Sequence, residues 1–217
     1  ITDYDAVSAF GAEVHSRHPA MDVVMNVAGI SAWGTVDKLA HHHWRSMIDV
    51  NLMGPIHVIQ TFVPAMVSAR RGGRLVNVSS AAGLVALPWH AAYSASKFGL
   101  RGLMEGLSRE FADLPIRFQY LAPRATRTAF NPPAVDAFNR DSKVAVDEPE
   151  DVARILLAAI VRGDKRLQIG WPEKLFARLN GVLPELVDRS LQSQLPLVHR
   201  HARAHGTTLS VLEKDHE

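Results

Sequence analysis

Met21-Asp22-Val23-Val24-Met25-Asn26-Val27-Ala28-Gly29 is a short, nearly continuous apolar run closed by Ala-Gly, the pattern of a strand covered on both faces. A second such run, Arg74-Leu75-Val76-Asn77-Val78, follows Arg71-Gly72-Gly73, and a third is Ile116-Arg117-Phe118-Gln119-Tyr120-Leu121. Between the first two, Trp44, Met47 and Ile48, then Ile56, Ile59, Val63 and Met66, keep a helical period through one long helix or two. Leu100, Leu103, Met104, Leu107 and Phe111 mark a further helix. Strands that alternate with helices predict an α/β fold, a doubly wound parallel sheet with helices on both faces.

Upstream, Val7, Phe10 and Val14 sit at helical spacing behind a Thr2-x-x-Asp5 start that reads as a capping box, and the pattern stops before Pro19. Downstream, periodicity fails from Pro123 to Glu148, which predicts a functional lid or a mobile segment. Pro149-Glu150-Asp151 opens a helix carrying Val152, Ile155, Leu156 and Ile160, and Arg166 to Trp171 reads as a last strand. Leu175, Phe176, Leu179, Leu183, Leu186 and Val187, broken near Asn180-Gly181 and Pro184, predict two short amphipathic helices. Residues 1–217 thus form one domain, with 172–217 as a helical extension and no internal repeat or interdomain linker.

The composition narrows the function. At 47% hydrophobic and 21% charged residues over 217 positions, the chain can bury a core and is not disordered. Lys and Arg number 24 against 22 Asp and Glu, with no long basic run, so nucleic acid is not an expected partner. The lack of cysteine excludes disulfides, thiolate zinc sites and thiol nucleophiles, and suits a reducing, cytoplasmic setting. No uninterrupted apolar run reaches the roughly 18 residues of a membrane span, and Ile1-Thr2-Asp3-Tyr4-Asp5 is not a signal peptide. That start reads as a chain entered partway through.

Tyr93-Ser94-Ala95-Ser96-Lys97 places a Lys one helical turn beyond a Tyr on the same face. A free phenol titrates near 10, and a neighbouring ammonium favours the phenolate, which suits proton transfer to an alcohol or carbonyl oxygen. Ser80, thirteen positions earlier in Asn77-Val78-Ser79-Ser80-Ala81-Ala82-Gly83, puts a hydroxyl at the carboxyl end of a parallel strand, where such sheets bind ligands; its plainer reading is a turn Ser.

With these residues the sequence resembles the classical short-chain dehydrogenase/reductase family, over residues 1 to about 171. Asn26-Val27-Ala28-Gly29 is similar to its Asn-Asn-Ala-Gly motif beside the adenosine of the cofactor, Asn51 to the Asn of its catalytic tetrad, and Ser80, Tyr93 and Lys97 to the other three members. Pro123-Arg124-Ala125-Thr126-Arg127-Thr128 falls where the family has Pro-Gly-x-Val/Ile-x-Thr beside nicotinamide. The resemblance implies a Rossmann-like sheet and an oxidoreductase that uses NAD or NADP to interconvert an alcohol and a carbonyl on an apolar small molecule. Catalytic residues would be Asn51, Ser80, Tyr93 and Lys97; cofactor-binding ones Asn26, Ala28, Gly29, Tyr93, Lys97, Pro123, Thr126 and Thr128. In that scheme Lys97 lowers the Tyr93 pKa and Asn51 positions a water. A homo-oligomer is implied through helices around 44–70 and 93–112. The family's glycine-rich pyrophosphate turn and first strands have no counterpart here, which predicts weak binding of NAD or NADP by this chain and an exposed apolar edge at Met21 to Val27.

Two departures stand inside the motifs. Val27 replaces an Asn and Arg124 a Gly; Arg124 either reaches a phosphate or a substrate carboxylate or lies in solvent. His41-His42-His43 splay around a helix start and do not suggest a metal, and Trp44 beneath them reads as core. His199, Arg200, His201, Arg203 and His205 read as a solvated basic tail, with peripheral membrane contact as the lesser alternative. Trp89 and His90 either line the substrate cleft or pack. The competing function is a catalytically silent chain that serves as an interaction or regulatory subunit.

Overall fold

The computed structural model describes residues 1–205 and 208–209, with side chains to His201. Four parallel strands, β1 (Val23–Asn26), β3 (Gly73–Val78), β4 (Ile116–Ala122) and β5 (Arg166–Gln168), form a sheet in the order β1-β3-β4-β5. The two-residue β2 (Ala32–Trp33) pairs antiparallel with β6 (Thr208–Leu209) in a separate ladder.

Alternation along β3 and β4 fixes the two layers. Leu75, Phe118 and Tyr120 point to one face, against Ile59, Val63 and Met66 of α3 (Gly54–Ala69) and Met104 of α4 (Ala91–Glu110). Val76 and Leu121 point to the other, against Ala159 and Ile160 of α6 (Pro149–Arg162). Buried polar residues follow the same alternation: Gln119 Nε2 donates to the carbonyls of Ala159 (3.1 Å) and Asp164 (2.9 Å), which closes the end of α6 on the sheet. Among the described residues no strand flanks β1 on its outer side, and Val23, Met25 and Val27 are exposed there.

Several sequence expectations are corrected. The first helix, α1 (Tyr4–Arg17), is capped by Asp3, whose Oδ1 accepts the Ala6 N–H at 2.9 Å, and not by Thr2. Phe10 is exposed, so α1 packs on α3 through a narrower stripe than its apolar pattern implies. The segment 123–148 contains a helix, α5 (Pro133–Asp141); its short apolar face, Ala134 and Phe138, gives too few turns for a visible period. Residues 41–69 form one continuous helical run, α2 (His41–Ile48), a π-helical turn at Asp49–Met53, and α3. One 18-residue window of this run reaches a mean hydropathy of 1.3, so by length and composition the helix is long and apolar enough to cross a membrane, although, as the sequence indicates, no uninterrupted apolar stretch of that length is present. It also carries Ile59, Val63 and Met66 into the core. The extension is a pair of short helices, α7 (Trp171–Asn180) and α8 (Pro184–Ser193), and then a third, α9 (Leu195–His205).

Candidate active site

The carboxyl ends of β1, β3 and β4 open onto one crevice, and the sequence motifs meet there. Asn51 sits in the π-helical turn, which widens the helix by one residue and turns the amide inward. Its Oδ1 accepts the Ile30 N–H at 2.8 Å, and its Nδ2 donates to the Ile30 carbonyl (2.9 Å) and to Ser96 Oγ (3.0 Å). Ser96 Oγ in turn donates to the Tyr93 carbonyl at 2.7 Å. One fully buried amide therefore ties the segment after β1 to the first turn of α4. Both its hydrogens are spent inside the protein, so Asn51 acts here as a brace.

Ser80 begins a 3-10 turn at Ala81–Gly83, its Oγ accepting the Ala82 N–H at 3.1 Å. A Cβ at Gly83 would collide with the Tyr120 hydroxyl and stand 2.9 Å from the Lys97 carbonyl, so only glycine lets this turn lie against α4. That contact brings Ser80 beside Tyr93, close enough for its hydroxyl to favour the phenolate. Tyr93 and Lys97 are both buried, with Lys97 Nζ 5.6 Å from the centre of the phenol ring.

Burial dominates their ionisation. It pushes the Tyr93 phenol up to about 12, against the opposing pull of the Ser80 hydroxyl, and draws the Lys97 ammonium down to about 8. The Tyr93 pKa of the protein alone thus lies above the ordinary phenol value and not below it, with burial as the leading cause. Lys97 makes no hydrogen bond or ion pair with any described residue, and a Cβ at Gly29 would lie 3.4 Å from its Nζ and 3.3 Å from Asn51 Oδ1.

The remaining motif residues divide. Asn26 is buried, with its Nδ2 unpaired, and Pro123 reaches the site through its carbonyl, which accepts the Ala81 N–H at 2.9 Å. Ala28 is exposed beside Gly29. Thr126 spends its hydroxyl on the Arg124 carbonyl (3.0 Å), and Thr128 is exposed on the loop. Arg124 follows neither sequence reading. It grips Asp147 with two bonds of 2.8 and 2.7 Å and approaches Glu173 at 3.5 Å, a fork that pins the loop after β4 to the starts of α6 and α7. Its φ is not positive, so Gly is not required there.

Sequence reasoning found only part of an aromatic cluster beside Tyr93, namely Trp89 and His90. Trp33 is buried and its ring stands 5.4 Å from Trp89, 6.1 Å from Phe138 and 6.4 Å from His90; His90 and Phe130 flank the Tyr93 ring at 6.2 and 6.1 Å. Trp89 adopts φ 67°, unusual for a bulky side chain, and burial pulls the His90 pKa down to about 4, so that ring is neutral at pH 7. Val198 of α9 completes the cluster. His201, placed by its sequence in a solvated tail, is buried and bonds Asp141 of α5 at 2.9 Å, whereas His199 and Arg200 are exposed; the side chains of Arg203 and His205 lie outside the described residues. Trp89 and His90, which the sequence offered as cleft-lining candidates, belong to this cluster, whereas Trp33, Phe130, Phe138 and α9 gave no sequence signal. Among the described residues no three metal-ligating side chains gather.

Comparison with known proteins gives a consistent picture. The profile of the short chain dehydrogenase family matches residues 1–137. SadH of Mycobacterium tuberculosis, named as an oxidoreductase, is 30% identical over 195 residues, 83% of this chain and 70% of that protein; the chain spans 65% and 49% of two other curated relatives. A short chain dehydrogenase/reductase of Burkholderia phymatum solved with NAD has a TM-score of 0.75 at 22% identity, covering 85% of this chain and 74% of that one. A short chain dehydrogenase of Burkholderia cenocepacia solved with NADP has a TM-score of 0.72 at 24% identity, covering 88% and 75%. Both share the fold.

Proposed function

The chain belongs to the short-chain dehydrogenase family, and on that premise we propose that it is an NAD- or NADP-dependent oxidoreductase that interconverts an alcohol and a carbonyl on an apolar, ring-bearing small molecule. The observation that carries this reading is Lys97, a buried ammonium one turn from a buried phenol and 5.6 Å from its ring centre, with no hydrogen bond or ion pair among the described residues, since burying a cation without a counter-charge is costly and a scaffold has no use for it.

The residues present fit the dinucleotide. Lys97 Nζ faces Gly29 and has donors to spare for ribose hydroxyls, and the orphaned Asn26 Nδ2 offers a further donor at the end of β1. When bound, the nicotinamide supplies hydride transfer. Tyr93, protonated at neutral pH because burial holds its pKa near 12, donates its hydroxyl proton to the substrate oxygen in the reducing direction and takes it back in oxidation. Ser80 holds the same oxygen and stabilises its developing charge. Asn51 keeps Ile30 and the first turn of α4 in fixed relation, so the three groups do not drift. Half-buried Phe130, against the Tyr93 ring, and Trp89, backed by the buried Trp33, favour an apolar body. A homo-oligomer through α3 and α4 is part of the same proposal.

The test is reduction of a panel of cyclic and aliphatic ketones with NADH and NADPH. Because weak binding of the dinucleotide is expected of this chain, turnover is expected at high cofactor concentration with at least one of the two, and Tyr93→Phe is expected to lose turnover while keeping that weak binding. Equal turnover by Tyr93→Phe overturns the assignment of the proton donor.

A further inference from the structure

The extension is built inside out at one place. α7 turns its polar residues inward: Glu173 approaches Arg124 and Asn180 Nδ2 donates to the Leu84 carbonyl at 3.3 Å. Its outer side carries Trp171 and Leu175, four residues apart, and Trp171 is 69% exposed. The turn into α8 adds Val182, 77% exposed, and Leu183, and α8 adds Leu186. α7 and α8 pack on each other as a hairpin, so these side chains are left in water with a covering element already used up. An exposed apolar cluster of this kind marks a contact surface.

Charge decides what it contacts. Lys174 and Arg178 share the outer side of α7 with Trp171 and Leu175, and lead into an open cleft of about 1140 Å³ between α7, α4 and β5. Six basic and two acidic side chains line the cleft. Three of the cations crowd onto Glu105, with Arg101 at 3.1 Å and Arg109 and Arg166 at 3.4 Å, while Lys165, Lys174 and Arg178 have no ion pair among the described residues. A second copy docking here by two-fold symmetry would set this net positive cleft beside itself, a like-charge penalty. A surface that is apolar inside and anionic outside meets both features.

We propose that the α7–α8 hairpin docks the protein on an anionic lipid bilayer, with Trp171, Leu175, Val182 and Leu183 entering the interface and the basic cleft receiving phosphate headgroups. Trp and Lys or Arg on one helix side are the composition of an interfacial helix.

Co-sedimentation of the 217-residue chain with vesicles of phosphatidylcholine and phosphatidylglycerol, against phosphatidylcholine alone, tests this. Binding to the anionic vesicles alone, with a blue shift of tryptophan emission and weakening as salt rises, is expected. Trp171→Ser with Val182→Ser should weaken binding about a hundredfold, and Lys174→Glu with Arg178→Glu about thirtyfold; all four side chains are exposed, and circular dichroism checks that the variants fold. No binding to anionic vesicles, or binding untouched by both double variants, overturns the proposal. So does a concentration-dependent dimer in ultracentrifugation that Trp171→Ser with Val182→Ser abolishes without any vesicle binding, since the face would then belong to a second copy.

Discussion

The crevice and the α7–α8 hairpin break the same rule in opposite directions. In the first, Asn51, Ser96 and Lys97 are shut away from water; in the second, Trp171, Val182 and Leu186 are left in it. Both arrangements cost stability compared with the reverse placement. The difference lies in how each is compensated. Asn51 and Ser96 are satisfied by a closed chain of hydrogen bonds, Lys97 has only the Tyr93 ring 5.6 Å away and no hydrogen bond or ion pair among the described residues, and, in the proposed docking, the exposed apolar side chains of the hairpin are left to an outside partner. Groups without a partner inside the fold point to partners that bind.

The sharpest way to break this comparison is at Tyr93. Tyr93→Phe removes only the hydroxyl and is expected to lower turnover by about 10² to 10⁴ while leaving the melting temperature nearly unchanged, as read by initial rates beside thermal denaturation. A fall in stability of the same order as the fall in rate would make the phenol structural.

Asn51→Ala should act the other way, on stability first. It strips partners from the Ile30 N–H and carbonyl and from Ser96 in a buried place, at a cost of about 3 kcal/mol in urea denaturation. A cost under about 1 kcal/mol would mean that the segment after β1 is held by other contacts.

Lys97 gives the comparison a pH signature. Its folded pKa is about 8, below that of the unfolded side chain, so between pH 8 and roughly 10.5 the unfolded chain holds the proton more and stability rises with pH. Tyr93, raised to about 12, works oppositely above roughly pH 10. Stability is therefore expected to climb from pH 8 toward pH 10 and then fall, and Lys97→Met should flatten the climb. A climb that persists in Lys97→Met assigns it elsewhere.

Arg124→Ala should cost about 1 to 2 kcal/mol, because its loss leaves the partly buried Asp147 and Glu173 carboxylates without their fork. The smallest effect is expected on the hairpin, where Val182→Ser should change folding stability by less than about 0.5 kcal/mol. A large loss there would show that the exposed cluster packs in solution and is no contact surface.

The fold was legible where local pattern and final environment agree. The runs at Met21 and Arg74 read as buried strands because both faces of a parallel sheet are covered, and β3 is indeed buried on both; the same reading predicts a covered β1, whose Val23 and Met25 are exposed. The break at Asn180-Gly181 and Pro184 placed α7 and α8 correctly because glycine and proline act on the backbone alone. α5 escaped notice because its helical period is only two turns long, and α9 because a run of His and Arg looks solvated until Val198 and His201 are seen packed against Phe138.

Order and spacing along the chain, by themselves, determined the parallel α/β class, and they carry the family resemblance that singles out Asn51, Ser80, Tyr93 and Lys97 as the candidate set. These depend on residue type and separation, which one dimension records. Tertiary structure alone decided that Asn51 braces Ile30, that burial raises the Tyr93 pKa, that Arg124 is spent on Asp147 and Glu173, and that Trp171 faces water while Trp33 does not. Each of these depends on which atoms from distant segments exclude water around a group, and solvent exclusion is a property of the packed volume that no spacing along the chain encodes.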